Sequence, residues 1–224
     1  MKAVQWWLLR QQHELRSGLN DKPQQSTASS RLRQSHESQV AKASPADAFA
    51  AAKKVILKGA KLDMSALAAE LGIGRATLYR WTGDREQLIK EVLAIFLQDT
   101  FAWIDRRLDK EKIEGPERFA RAVEDMIRAL TKSKPVYWLL RNEPDVALRI
   151  LTGGGVNSLQ TVTMEKLVGI IEQEVEKGNY RPRLEPRLLA YTTVRLVDSF
   201  VYGDIIAEVP LDFAAASRVI RSLL

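Results

Sequence analysis

The sequence predicts an all-α protein: an N-terminal three-helix domain built around a helix-turn-helix, and a larger helical domain after it. Three observations carry that reading. From Ser44 onward apolar residues recur at spacings of three and four, with no sustained alternation of β-branched residues. Pro116, Pro135, Pro144, Pro182, Pro186 and Pro210 punctuate the second part into helix-length segments. Ala68, Gly72 and Leu78 stand at the offsets where two short helices must meet, turn and be plugged.

The first helix begins at Ser44 as N-cap with Pro45 behind it, and Gly59 stops it. Phe49, Ala52, Val55 and Ile56 form its apolar face. Two short helices follow, at about 64–71 and 75–82. A long helix runs from Asp84, paired with Gln87 as a capping box, to about Glu111. At 1.5 Å per residue it spans about 40 Å. Its apolar face carries Ile89, Val92, Leu93, Phe96, Leu97 and Ile104. Further helices are expected at 116–132, 135–142, 145–151, 156–177, 185–208 and 211–224, with a loop at 152–155.

Composition removes several function classes. The chain has no cysteine, and its two histidines, His13 and His36, precede the folded part. Thiolate metal sites, disulfides and the commonest general base are therefore missing, and no metal or cofactor is expected. Glu124 and Asp125 are neighbours on one helix, point apart and are read as solvated. An enzyme is not expected. No apolar run approaches the roughly 20 residues of a membrane span, and no secretory signal is expected, so the location is read as cytoplasmic, at the nucleoid. Residues 1–44 are rich in Ser, Gln and charge and are expected to be disordered. The run "VQWWLL" within them is read either as a short sticky helix or as a non-native start. Basic residues exceed acidic ones only before residue 94, so a polyanionic partner would meet that end.

In the helix-turn-helix, Ala68 allows close approach, Gly72 takes the left-handed turn and Leu78 fills the space between the helices. Leu78 and Trp81 are expected on the inner face of the second helix. Arg75, Tyr79 and Arg80 then face outward with Thr77 on the flank. Arginine suits guanine edges or phosphate, and the hydroxyls suit phosphate oxygens. The alternative, that Arg75 and Arg80 are ordinary solvated charges, gives way because the whole unit surrounds them.

The stretch "LDMSALAAELGIGRATLYRWTGDREQLIKEVL" resembles the DNA-binding domain of TetR-type transcriptional regulators. That resemblance is specific over about residues 45–95. It implies DNA contacts at Ser65, Gly74, Arg75, Thr77, Tyr79 and Arg80, with Arg85 as the basic residue opening helix four. Three departures stand out: Gly74 replaces the usual serine cap, and Thr82 and Gly83 replace the usual aromatic and proline, with Trp81 expected to take over as anchor. The "LYRW" variant and "EPDVALRILT" are similar to the QsdR-like branch, which implies a lactone-type effector.

The expected domains are a basic extension at 1–44, the DNA-binding domain at 45–93, and an effector-binding and dimerisation domain at 94–224. Candidate effector contacts are Trp103, Tyr137, Trp138, Arg141, Asn142 and Arg149, with Tyr191, Arg195, Asp198 and Tyr202 further on. Phe96 and Phe200 belong to the same aromatic set, of which fewer than half are expected to line a cavity. Arg195 and Asp198, three apart, are read either as an ion pair or as ligand contacts. Helices 185–208 and 211–224 are apolar on more than one face, which suits a two-fold four-helix interface and a homodimer on a pseudo-palindromic double-stranded operator. A DNA-binding protein that answers a protein partner instead of a small ligand is the rival reading.

Overall fold

The structure, a computed structural model, describes residues 43–154, 158–209 and 212–224, the Asp204 side chain excepted. The expected disordered extension, apart from residues 43 and 44, lies outside the described residues, as do Gly155 and Pro210. Every regular element among the described residues is helical. None is long and apolar enough to cross a membrane.

The described chain forms two compact units. The first holds residues 43–54 and Leu62–Leu88; the second holds Val55–Lys61 and the described residues from Ile89 onward. Helix α1 (Pro45–Leu57) starts as its sequence requires. The Ser44 hydroxyl donates to Asp47 Oδ2 at 2.6 Å, and the Asp47 N–H donates back to Ser44 Oγ at 3.3 Å. Phe49 and Ala52 of α1 are fully buried.

Helix α2 (Met64–Glu70) is capped by Asp63, whose carboxylate accepts from the Ser65 and Ala66 N–H groups. It ends at Gly72, which takes φ +62°. Helix α3 (Arg75–Thr82) follows after a four-residue link, 71–74, and ends at Gly83, φ +72°. Helix α4 (Arg85–Lys110) opens on Asp84, whose Oδ1 accepts from the Gln87 N–H at 2.8 Å. Its first turn belongs to the first unit and the remainder to the second.

The second unit continues with α5 (Gly115–Lys132), α6 (Lys134–Asn142), α7 (Pro144–Thr152) and α8 (Leu159–Glu176). Helix α9 (Pro186–Asp198) runs into a π-helical turn at Ser199–Gly203, then α10 (Asp204–Ala207) and α11 (Phe213–Ser222). Helix α8 packs on α5, α7 and α9, and α11 closes against α5 and α9. Phe101, Ile104 and Leu108 of α4, Phe119 and Val123 of α5, and Leu167 and Ile171 of α8 build a fully buried core.

Two expectations are corrected here. The segment 185–208 is not one α-helix: the turn at Ser199–Gly203 widens it, with Val201 and Tyr202 turned inward. Glu124 and Asp125 are not solvated, being 5% and 2% exposed. Each faces its own set of arginines. Glu124 accepts from Arg221 Nε (2.9 Å) and the Ser217 hydroxyl, tying α11 to α5. Asp125 accepts from Arg107 Nη1 on α4 and Arg128 Nη1. Burial opposes ionisation of Glu124, yet Ser217 and Arg221 hold its carboxyl below the ordinary value. Long-range partners of this kind leave no local sequence signal.

Gly115 shows a stricter need for glycine than the turn residues do. Its φ is +64°, and a Cβ would stand 2.8 Å from the Asn179 carbonyl. Its N–H donates to the fully buried Glu174 carboxylate at 2.8 Å, which also receives Lys177 Nζ at 2.7 Å. Helices α5 and α8 are thereby pinned at their ends.

Candidate nucleic-acid interface and ligand cavity

In the first unit, Ala68 is buried, Gly72 is left-handed and Leu78 is fully buried. That arrangement leaves no choice about which face of α3 points out. Arg75 and Arg80 are exposed and Tyr79 is 46% exposed, with Thr77 half-buried beside them. Helix α3 carries no acidic residue. Arg75 Nη1 reaches Ser65 Oγ at 3.5 Å, so α2 and α3 contribute to one outward patch. Gly74 caps α3 without a side-chain bond, and nothing stands within 4 Å of where a Cβ would be.

The anchor differs from the sequence expectation. Thr82, 3% exposed, shares the inner face with Leu78, and its hydroxyl donates to the Leu78 carbonyl at 3.0 Å. Trp81 is only half-buried. A step of four residues turns a helix 40° past a full turn, whereas a step of three falls 60° short. Thr82 is therefore better aligned with Leu78 than Trp81 is. Arg85 is half-buried, and its Nε donates to the Leu62 carbonyl at 2.7 Å, fastening the start of α4 to the residue before α2's cap.

The second unit holds a partly open cavity of about 40 Å³. Helix α4 contributes Leu93, Phe96, Leu97 and Thr100 to its wall, and α5 contributes Met126, Ala129 and Leu130. Gln160 and Thr163 of α8 and Val194, Val197 and Asp198 of α9 face them, with Tyr202 from the π turn. Gln160 Nε2 donates to Asp198 Oδ2. Burial raises the Asp198 carboxyl to about 6, against the opposing pull of Gln160 and Arg195. Burial, with the neighbouring Asp198 charge, also raises the Tyr202 phenol.

Of the ten expected effector contacts, Asp198 and Tyr202 line this cavity. Trp103, Tyr137 and Tyr191 are each 49% exposed, and Arg107, Arg141 and Arg195 lie over their respective rings at 5.8, 5.9 and 5.3 Å. Arg141 pairs with Glu208 at 2.8 Å, and Asn142 Nδ2 donates to the Trp138 carbonyl. Trp138 is half-buried and Arg149 is exposed. Arg195 approaches Asp198 at 3.8 Å but its side chain is 51% exposed. Aromatic and charged residues together mark an amphipathic surface, and that is where most of them lie. Gln160 and Thr163, polar residues three apart in the first turns of α8, were not among the expected contacts.

Residues 114–224 match the model for the tetracyclin repressor-like C-terminal domain. The transcriptional repressor QsdR of R. erythropolis, of the TetR family, is similar at 28% identity and a TM-score of 0.69, over 80% of this chain and 93% of that one. The transcriptional regulator FadR of Bacillus subtilis, solved with stearoyl-CoA, shares the fold at 18% identity and a TM-score of 0.51, over 79% of this chain and 95% of that one. No curated protein sequence matches the chain significantly. A helix-turn-helix with a basic outer face, joined to a helical unit of this type, makes the chain a DNA-binding transcriptional regulator of the TetR family, resembling QsdR.

Proposed function

We propose that the protein is a repressor in the cytoplasm that binds a pseudo-palindromic operator as a homodimer and leaves it when a small molecule, a lactone-type compound among the candidates, occupies the second unit. The observation that carries the DNA half is the sidedness of α3: Leu78 and Thr82 face in, and Arg75, Tyr79 and Arg80 face out. Arg75 and Arg80 would reach base edges or phosphates, and Ser65, Thr77 and Tyr79 would accept or donate at the backbone. Arg85 would add a phosphate contact only through nitrogens other than the Nε bonded to Leu62.

The homodimer reading is supported by Leu188 and Tyr191 on α9, both 49% exposed, and by the exposed Ala214 and Val219 on α11. The ligand reading is supported by the cavity, whose α4 wall belongs to the same helix whose first turn lies in the DNA-binding unit. A ligand with unequal affinity for two settings of that helix would shift operator affinity by that same difference. Footprinting on the protein's own promoter region tests the proposal: a two-fold symmetric protected region, cleared by effector, is expected. An asymmetric footprint of one half-site, or one that no small-molecule extract clears, would contradict it; in the second case a protein partner becomes the better reading.

A further inference from the structure

The chemistry of the cavity wall narrows what can bind there. Its polar members are Thr100, Gln160, Thr163, Asp198 and Tyr202, and no lysine, arginine or histidine lines it. Gln160 occupies Asp198 Oδ2, and Arg195 lies mostly in solvent. Among the described residues no group donates to Asp198 Oδ1. The Asp198 side chain, 15% exposed, lines a largely apolar cavity with one carboxylate oxygen that takes no protein donor, so a ligand N–H or O–H can bond it. An anionic head would instead be desolvated beside a carboxylate, with no cation on the cavity wall to meet it.

We infer that the cavity takes a neutral amphiphile that presents an N–H or O–H donor to Asp198, of the acyl-amide or alcohol class, and that it rejects carboxylates. This deepens the effector reading above and rests on it. Size sets the orientation. A space of about 40 Å³ holds a small polar head and little more. Its wall shares Phe96, Thr100 and Ala129 with an open depression of about 590 Å³ that Trp103 and Pro135 help to line. An apolar tail therefore leaves past Phe96 into that depression. The reverse orientation would put a carboxylate on Lys132 and Lys134 in the depression and methylenes against Asp198. That gives Asp198 Oδ1 no ligand donor, so the head-inward orientation is preferred.

Octanamide and octanoate share a chain and differ in the head, which makes them the test pair. Calorimetric titration of the full chain at pH 7.5 should show octanamide binding about tenfold or more tightly than octanoate, the worth of one charge-assisted hydrogen bond. In Asp198→Asn the preference should shrink towards parity, because the amide-bearing side chain no longer repels the carboxylate. Octanoate binding as tightly as octanamide to the unmodified chain would overturn the inference. So would an undiminished preference in the variant, or no binding by either compound. The same pair is then added to the complex with the footprinted operator. Octanamide that binds without releasing DNA leaves the ligand class standing and refutes the effector reading. Octanoate that binds and releases DNA does the opposite.

Discussion

Replacing Asp198 by asparagine should stabilise the protein at neutral pH, by an amount that disappears in mild acid. The carboxyl is held at about 6 against an ordinary 3.8. That difference corresponds to about 3 kcal/mol in favour of the neutral form in the fold, and residual contact with water reduces it to about 2 kcal/mol. The sign follows from linkage: the folded chain holds this proton more tightly than the unfolded one. The contribution is fully present below the ordinary value, is lost as pH rises through about 6, and stays lost above it. Asparagine keeps an acceptor for Gln160 and carries no charge to desolvate. Urea unfolding of both proteins, followed by far-UV circular dichroism, should give equal midpoints near pH 4. The variant should gain about 2 kcal/mol by pH 7.5. A variant no more stable at pH 7.5, or a difference that does not change with pH, would refute the assignment of Asp198 as a buried carboxyl.

Four further outcomes follow from named residues. Gly72→Ala should lose about 1–2 kcal/mol purely through its left-handed backbone, since nothing stands within 4 Å of the new Cβ; chemical denaturation measures it. Gly115→Ala, at a similar φ, should lose clearly more, because its Cβ meets the Asn179 carbonyl. Arg221→Met removes the partner of Glu117 and of the buried Glu124 and should destabilise the fold by about 2–3 kcal/mol at pH 7. Both carboxyls lie below their ordinary value: Glu117 chiefly through its hydrogen bond from Arg221, Glu124 despite its burial. Their contribution is present above that value and falls away as pH drops through the folded one, so the variant's deficit should shrink in acid. Leu188→Asp with Tyr191→Asp should convert a dimer to monomers in sedimentation velocity while leaving helix content intact, because both side chains are half-exposed in the single chain.

The sequence disclosed the DNA-binding unit far better than the cavity, for a physical reason. Ala68, Gly72 and Leu78 meet constraints of backbone geometry that few residue types satisfy, so their spacing is informative. The caps at Ser44 and Asp84 are local and equally readable. Cavity walls made of Leu93, Leu97, Val194 and Val197 look like any core, while most of the aromatic and charged residues expected there mark the unit's outer surface instead. The π turn at Ser199–Gly203 carries no proline to announce it, yet it helps put Tyr202 on the same cavity as Asp198. The burial of Glu124 depends on Arg221, 97 positions away along the chain. Thr82 displaced Trp81 as the anchor because alignment with Leu78 outweighed side-chain size.

The proposed function requires that the outer face of α3 read DNA. Fluorescence anisotropy on the footprinted operator, at stepped salt, compares the unmodified chain with Arg75→Ala and Arg80→Ala. Each variant should lose about 1–3 kcal/mol of specific binding where a base contact is removed, or lower the salt slope by about one where a phosphate contact is removed. Circular dichroism should remain unchanged, since both side chains are exposed. Both variants binding the operator with the affinity and salt slope of the unmodified chain would contradict the assignment.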